Sequence, residues 1–205
     1  GGVPSRLWAE LINEAYDKGI TVVTAAGNNF GPGKIRVPRF IVYPARFRRV
    51  IAACGAMFDG KPYADFFDPR MMAGSYGPAS KMGTAMAAFT PNTPWANYND
   101  LSLLDFSGSG TSSATPQIAA AAACWLQNYK DHEVLRGYSD PWMRVEAVRH
   151  ALFSTANNTN PEYFGNGTLR ADKALLEGPA PEASLRKQPV DTVVVPVLGP
   201  ILSVL

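Results

Sequence analysis

Two runs of this chain, "ITVVTAA" (20–26) and "RVIAACGA" (49–56), are apolar without interruption once Arg49 is passed. A strand with one wet face alternates polar and apolar residues. These do not alternate, so each is expected to be covered on both sides. The first run follows directly on a helical repeat. In "SRLWAELINEAYDK" (5–18), Leu7, Leu11 and Ala15, and likewise Trp8, Ile12 and Tyr16, recur at helical spacing. Pro4-Ser5 before them and Gly19 after them are start and stop signals. A helix feeding a doubly covered strand predicts an α/β fold, a parallel sheet with helices on both faces.

Beyond these runs the pattern is uneven. Residues 30–49 form a Gly/Pro/Arg-rich connection. From Met57 to Asp105 both periodicities fade, and so long an irregular stretch is expected to be functional or mobile. Helices are predicted over 113–129, where Ala114 and Ala119 to Ala123 permit close packing, and over 142–154. "FGNGTLRADKALLEG" (164–178) reads as a turn and a short helix. The predicted organisation is a body over 1–177, a polar, proline-bearing linker over 178–189, and an apolar tail or start of a further module over 190–205. No internal repeat is present.

Composition removes several function classes. The 205 residues are 46% hydrophobic, enough for one substantial core or one core plus a small appendage. Nineteen basic and 17 acidic side chains leave a net charge of +2, which predicts no attraction to nucleic acid. The basic cluster Arg46, Arg48 and Arg49 reads as a solvated face. No apolar run approaches the ~18 residues of a membrane span. The chain opens on Gly1-Gly2-Val3-Pro4 without a methionine, as a processed product, excised domain or fragment would. Cys54 and Cys124 both lie in apolar surroundings and are expected to be small buried hydrophobes, with a disulfide between them left open. Asn157 and Asn166 begin glycosylation sequons, meaningful only in a eukaryotic secretory host.

Chemistry concentrates in "FSGSGTSSATPQIAA" (106–120). Gly108 and Gly110 allow a sharp entry into a helix, and Pro116 is a helix-start signal. Ser112 then falls among the unpaired N–H groups at the positive end of the helix dipole. A serine there presents its hydroxyl and leaves its own amide free for an oxyanion, which is half of an acyl-transfer site. The plainer reading is a Ser/Thr N-cap.

The longer string decides between them. Gly110-Thr111-Ser112-Ser113-Ala114-Thr115-Pro116 resembles the nucleophile motif G-T-S-x-A-[ST]-P of the subtilisin-like serine proteases, the subtilases. "TVVTAAGNN", "YPARFRRVIAACGA" and "YFGNGTLRADKAL" are similar to further family segments in the same order. The resemblance covers about residues 1–177 and implies the C-terminal portion of a subtilisin-like parallel-sheet fold. It implies Ser112 as nucleophile and Asn28 as oxyanion-hole donor, with Gly1, Gly2, Ala25, Ala26, Gly27, Tyr43, Pro44 and Ala45 holding a polypeptide substrate. The small residues Ala25 to Gly27 suggest a roomy pocket for a large apolar side chain. No cofactor is implied for the chemistry, structural calcium stays open, and a secreted location is expected.

One part of the family pattern is missing. A serine nucleophile needs a base and a group to orient it, and in subtilases both precede the serine. Here the histidines, His132 and His150, both follow it, and no D-[ST]-G or H-G-T-H string occurs. His150 reads as a surface residue and His132 as a solvated helix end. A Ser112, Asp140, His150 order of the α/β-hydrolase kind fails because no G-x-S-x-G elbow surrounds Ser112. The expectation is a serine endopeptidase whose base and carboxylate lie on an upstream N-terminal half. This chain alone is then inactive. The alternative is a protease-fold binding or scaffold protein without catalysis.

Overall fold

The two uninterrupted apolar runs lie side by side in one parallel sheet, as predicted. The structure, a computed structural model, describes residues 5–29, 40–65, 72–100 and 102–193. Helix α1 (Arg6–Asp17) is capped by Ser5, whose Oγ accepts from Trp8 N at 3.1 Å and satisfies one orphan donor of the first turn. The helix stops before Gly19, at φ +78°, where a Cβ would lie 2.7 Å from the Pro141 carbonyl oxygen. Strands β1 (Val22–Ala25), β2 (Asn28–Asn29) and β3 (Val50–Ala56) follow, then a single 3-10 turn at Tyr63–Asp65 and the short strand β4 (Ala73–Gly74). Next come α2 (Ala79–Met82), β5 (Ala85–Phe89) and a hairpin of β6 (Thr93–Ala96) with β7 (Leu104–Gly108). Helices α3 (Thr111–Tyr129), α4 (Glu133–Gly137), α5 (Trp142–Ser154), α6 (Pro161–Phe164) and α7 (Ala171–Ala174) complete the body.

The sheet order is β1-β3-β5, all parallel, with Val22 opposite Val50 and Ala52 opposite Ala85. Successive side chains of a strand point to opposite faces, and the two faces have different covers. Ile51 and Ala53 of β3, with Met86 and Ala88 of β5, pack under Ala114, Ile118 and Trp125 of α3 and Val148 and Leu152 of α5. Ala52, Cys54 and Ala56, with Ala85 and Ala87, pack on the other side against Ile41, Ala45 and Phe164. Full burial of Ile118 and Leu152 is worth about 1.5–3 kcal/mol each before entropy is subtracted.

Five expectations change. Strand β1, expected to be covered on both sides, is half-buried at all four positions. The stretch read as irregular contains β5, whose sequence "AMAAF" has no β-branched residue and no alternation. Pairing with β3 makes it a strand, not propensity. Cys124 is exposed and Cys54 buried, and both are free thiols. The buried stripe of α3 runs through Ala114, Ile118, Ala121, Ala122 and Trp125, and Cys124 lies off it. Arg49, expected on a solvated face, is 2% exposed. Residues 178–189, expected to be a linker, are laid against the body with Ala180 and Leu185 in its core. Of the tail, residues 194–205 lie outside the described residues.

Candidate active site

The C-terminal end of β1 and the N-terminus of α3 meet at one point, and Gly110 makes the meeting close. Its φ is +76°, and a Cβ built on it would stand 3.0 Å from Asn28 Nδ2 and 3.1 Å from Asn28 Oδ1. The Asn28 carboxamide therefore lies across the bare Cα. Two buried side chains fix the glycine. Its N–H donates to Tyr63 Oη at 3.2 Å, and its carbonyl accepts from Thr90 Oγ1 at 3.1 Å. Burial raises the pKa of Tyr63, with the Gly110 hydrogen bond opposing, so the phenol stays neutral at this position.

The hydroxyls opening α3 have different fates. Ser113 Oγ donates to the Ser109 carbonyl at 3.0 Å and Thr115 Oγ1 to the Thr111 carbonyl at 2.9 Å. Thr111 Oγ1, fully buried, accepts from Gly27 N at 3.1 Å and points its one hydrogen at Gly27 O or Asn28 Oδ1, both at 3.2 Å. Ser112 is exposed, and among the described residues its hydroxyl has no partner. The neighbours' hydroxyls are spent on holding the loop; this one is not.

Asn28 sits in β2, opposite Gly74 of β4. Its Oδ1 accepts from Thr111 N at 2.8 Å. Because a backbone N–H can face only an acceptor, the oxygen is fixed toward the helix and the NH2 group is turned away from that bond. Among the described residues neither Asn28 Nδ2 nor Ser112 N has a hydrogen-bond partner, whereas Thr111 N and Ser113 N do. Two uncommitted donors and one uncommitted hydroxyl thus gather at the positive end of a 19-residue helix. This is the arrangement that accepts a developing oxyanion beside a nucleophile.

Thr111, Tyr63 and Thr90 were given no role by sequence reasoning, though they hold the loop. Thr111 lies inside the motif, but the motif marks only the serine beside it as reactive. Tyr63 and Thr90 lie in the stretch without periodicity, and nothing local marks them.

The segments expected to hold substrate are placed as follows. Ala25 ends β1, half-buried. Ala26 is 0% exposed, its N–H bonded to Ala53 O and its carbonyl to Val42 N, both at 2.9 Å. Gly27, at φ +113°, leaves room for the Val42 side chain, which a Cβ would meet at 3.0 Å. Tyr43 packs edge-on against Phe47, with ring centroids 4.9 Å apart. Pro44 is half-buried and Ala45 is 1% exposed. Ala26 and Ala45 therefore lie beneath the surface. Gly1 and Gly2 lie outside the described residues.

Neither histidine joins this site. His132 caps α4, its Nδ1 accepting from Val134 N at 3.3 Å. It follows the far end of α3, about 30 Å from Ser112 at 1.5 Å per residue. His150 is exposed on α5 and lines a cavity beside Gly83 and Thr84, which precede β5, whereas Ser112 adjoins the strands' C-terminal ends. Among the described residues no group of three His, Cys, Asp or Glu side chains could hold a metal ion.

The chain is similar to several known proteins. The model of the subtilase family, Peptidase S8, matches residues 2–168. Subtilisin DY of Bacillus licheniformis is 30% identical over 166 residues, covering 80% of this chain and 50% of its own length. Subtilisin E of Bacillus subtilis is 29% identical over 165 residues, 80% of this chain and 36% of its own. The chain thus spans half or less of these relatives. Among solved structures, the prenylagaramide maturation protease PagA superposes with a TM-score of 0.63 at 21% identity, over 86% of this chain and 57% of that one. The PatG macrocyclase domain superposes with a TM-score of 0.61 at 20% identity, over 82% and 46%. At that identity the superpositions speak for the fold alone.

Proposed function

The chain belongs to the subtilase family, and on that premise we propose that it carries the nucleophile and oxyanion hole of a serine endopeptidase. Ser112 Oγ attacks the scissile carbonyl of a polypeptide. The carbonyl oxygen becomes an oxyanion held by Asn28 Nδ2 and Ser112 N, the two donors without partners among the described residues. Collapse of that intermediate leaves an acyl-serine and a free amine, and water then releases the acyl group. The bond from Thr111 N to Asn28 Oδ1 is the observation that carries the reading, because it orients the carboxamide without consuming its NH2 group. The substrate runs extended along Gly1–Gly2, the Ala25–Gly27 strand end and the Tyr43–Ala45 loop. Acyl transfer of this kind requires no cofactor.

The base that takes the serine proton, and the carboxylate that orients it, come from a segment outside these 205 residues. Strand β1 offers that segment a place. Among the described residues it is one of the sheet's two edges, half-buried throughout, whereas β3 is buried at every residue. Helix α1 beside it leaves Leu7, Trp8 and Leu11 exposed. A further parallel strand and its helix would cover both. The compartment proposed is extracellular, by family resemblance; among the described residues no helix is long and apolar enough to cross a membrane.

A fluorophosphonate probe tests the proposal on the full-length protein. Labelling at Ser112 is expected, abolished by Ser112→Ala and slowed by Asn28→Ala. A folded full-length protein that resists the probe would place it with non-catalytic binding proteins instead.

A further inference from the structure

Residues 178–193 follow the stretch matched by the family model and have the composition of a linker, yet their path is fixed at nearly every step. Trp125 Nε1 donates to the Glu177 carbonyl at 2.8 Å, just before the segment begins, and Tyr138 Oη to the Ala180 carbonyl at 2.6 Å. Ser139 Oγ donates to the Glu182 carboxylate at 2.8 Å, and Leu185 is buried against the core. Lys187 pairs with Asp17 at 2.8 Å. Gln188 N donates to Tyr16 Oη at 3.0 Å, and that hydroxyl in turn donates to Glu146 at 2.8 Å.

The segment ends in a double lock. Asp191, 8% exposed, accepts from Arg48 N at 2.7 Å and from Arg49 N at 2.9 Å, one carboxylate oxygen to each. Its own backbone is held by one side chain. Asn13 Nδ2 donates to the Asp191 carbonyl at 2.8 Å, and Asp191 N donates to Asn13 Oδ1 at 3.0 Å. The Arg49 guanidinium is the second lock. It lies 4.5 Å over the Tyr16 ring, reaches the Gln188 and Pro189 carbonyls, and pairs with Asp17 at 3.1 Å. Charged groups as buried as Arg49 and Asp191 persist only when paired and hydrogen-bonded, and each takes partners from across the segment's boundary.

The corner held this way continues the proposed substrate loop. Phe47 N donates to the Pro44 carbonyl at 3.0 Å and Arg46 N to the Val42 carbonyl at 3.1 Å, while Phe47, 2% exposed, packs against Tyr43. Tyr43 to Arg49 is therefore one train of turns, anchored at its far end by Asp191. We propose that residues 178–193 are a clasp integral to the body, and that Asp191 is a positioning residue which holds the Tyr43–Ala45 loop through the Arg48–Arg49 corner. The loop's role in binding substrate rests on the peptidase reading above; the clasp does not.

Hydrogen exchange on the full-length protein, with Asp191→Ala and Asp191→Asn, tests the clasp. In Asp191→Ala the amides of Arg48 and Arg49 are expected to exchange on the order of 10- to 100-fold faster, the factor that loss of a charge-assisted hydrogen bond implies. The amides of Arg46 and Phe47 should follow by a smaller factor, and Asp191→Asn, which keeps one acceptor oxygen, should restore part of the protection. Peptide hydrolysis should show a raised KM at unchanged kcat, since Ser112 and Asn28 do not touch the clasp. Unchanged exchange at Arg48 and Arg49 overturns the clasp. Opening confined to those two amides, or an unchanged KM, overturns the positioning role. A wild-type protein without activity overturns the peptidase reading alone, and the exchange measurements still decide the clasp. Truncation after Glu177 is the second arm: the clasp requires loss of cooperative unfolding, and a truncated protein that melts like the parent refutes it.

Discussion

Thr111→Val isolates the tie between β1 and α3, because valine has nearly the shape of threonine and lacks only the hydroxyl. That hydroxyl makes three contacts, and they are not equally replaceable. Gly27 O keeps its bond from Ser75 N at 2.8 Å, and Asn28 Oδ1 keeps its bond from Thr111 N at 2.8 Å. Gly27 N loses Thr111 Oγ1, the partner it has at 3.1 Å. One orphaned, half-buried N–H costs about 1–3 kcal/mol, toward the lower end where water can reach it. At that lower end, about 1–1.5 kcal/mol, Tm of a domain of this size falls by about 2–6 °C. The strand end carrying Asn28 is then tied to the helix by a single bond. Were the same energy lost from transition-state binding, kcat/KM would fall about tenfold or somewhat more. Thr111→Ser is the control. It keeps the hydroxyl and loses the methyl that packs on Gly74, where a built Cβ would lie 3.1 Å from Thr111 Cγ2. That loss costs about 0.8 kcal/mol of stability and is expected to leave kcat near the parent value. Thermal unfolding and peptide hydrolysis by the full-length protein measure both. If valine is no worse than serine in either assay, the hydroxyl is not the tie.

Three other changes probe separate parts of the argument. Gly110→Ala imposes a Cβ at φ +76°, about 1–2 kcal/mol of strain, and drives it against the Asn28 carboxamide. Loss of kcat should approach the ~10²–10³ known for such a donor from subtilisin itself, and an alanine variant with parental kcat would show that Asn28 does not serve the reaction. A thiol reagent should modify Cys124 in the folded protein and reach Cys54 only on unfolding, since Cys54 is buried and its pKa is pushed up to about 12; native reaction of both thiols would contradict the packing of β3. The hydrogen bond from Lys187, with Arg49 adding to it, holds the Asp17 carboxyl below its ordinary value. A depressed carboxylate pKa stabilises above the unfolded value, and that stability is lost as pH falls through the folded one. Proteolysis within 178–193 should therefore rise as pH drops below about 4, less steeply in Asp17→Asn, and a cleavage rate flat across that range would remove Asp17 from the clasp.

How much of this was readable beforehand depended on whether the cause was local. The helix at 5–18 has its cap, its period and its terminal glycine within one short string, and α1 matches it within a residue at each end. The exposure of Ser112 at a helix N-terminus was legible because the motif that carries it is contiguous. Thr111 and Gly110 matter for what lies across from them, more than 80 residues away in sequence at Asn28, and a spacing of that kind leaves no periodic trace. The path of residues 178–193 leaves no trace in the sequence for the same reason. Its anchors are backbone carbonyls, the charged side chains of Glu182, Lys187 and Asp191, and two buried apolar residues, Ala180 and Leu185, scattered among prolines and other charges. Carbonyl acceptors exist at every residue, so composition cannot say which ones a tryptophan or tyrosine will find.

The first apolar run adds an argument that sequence and structure make only together. Both "ITVVTAA" and "RVIAACGA" read as strands covered on two faces, and β3 is. Strand β1 is half-buried at all four positions, although Val22 and Val23 are as apolar as Val50 of β3. An edge strand that must stay in water is blunted by charge, proline or a bulge; β1 has none of these. Its neighbour α1 likewise turns Leu7, Trp8 and Leu11 to solvent at 60%, 40% and 52% exposure. A surface so composed is stable under cover and a liability without it. On the peptidase reading proposed above, the base is sought at the same place, since among the described residues the outer edge of β1 is unpaired and the chain runs on from it to Asn28 and the partnerless hydroxyl of Ser112. One added strand and helix, ending beside Ser112, would meet the packing deficit and could bring the proton acceptor with them. The two deficits are therefore best read as one.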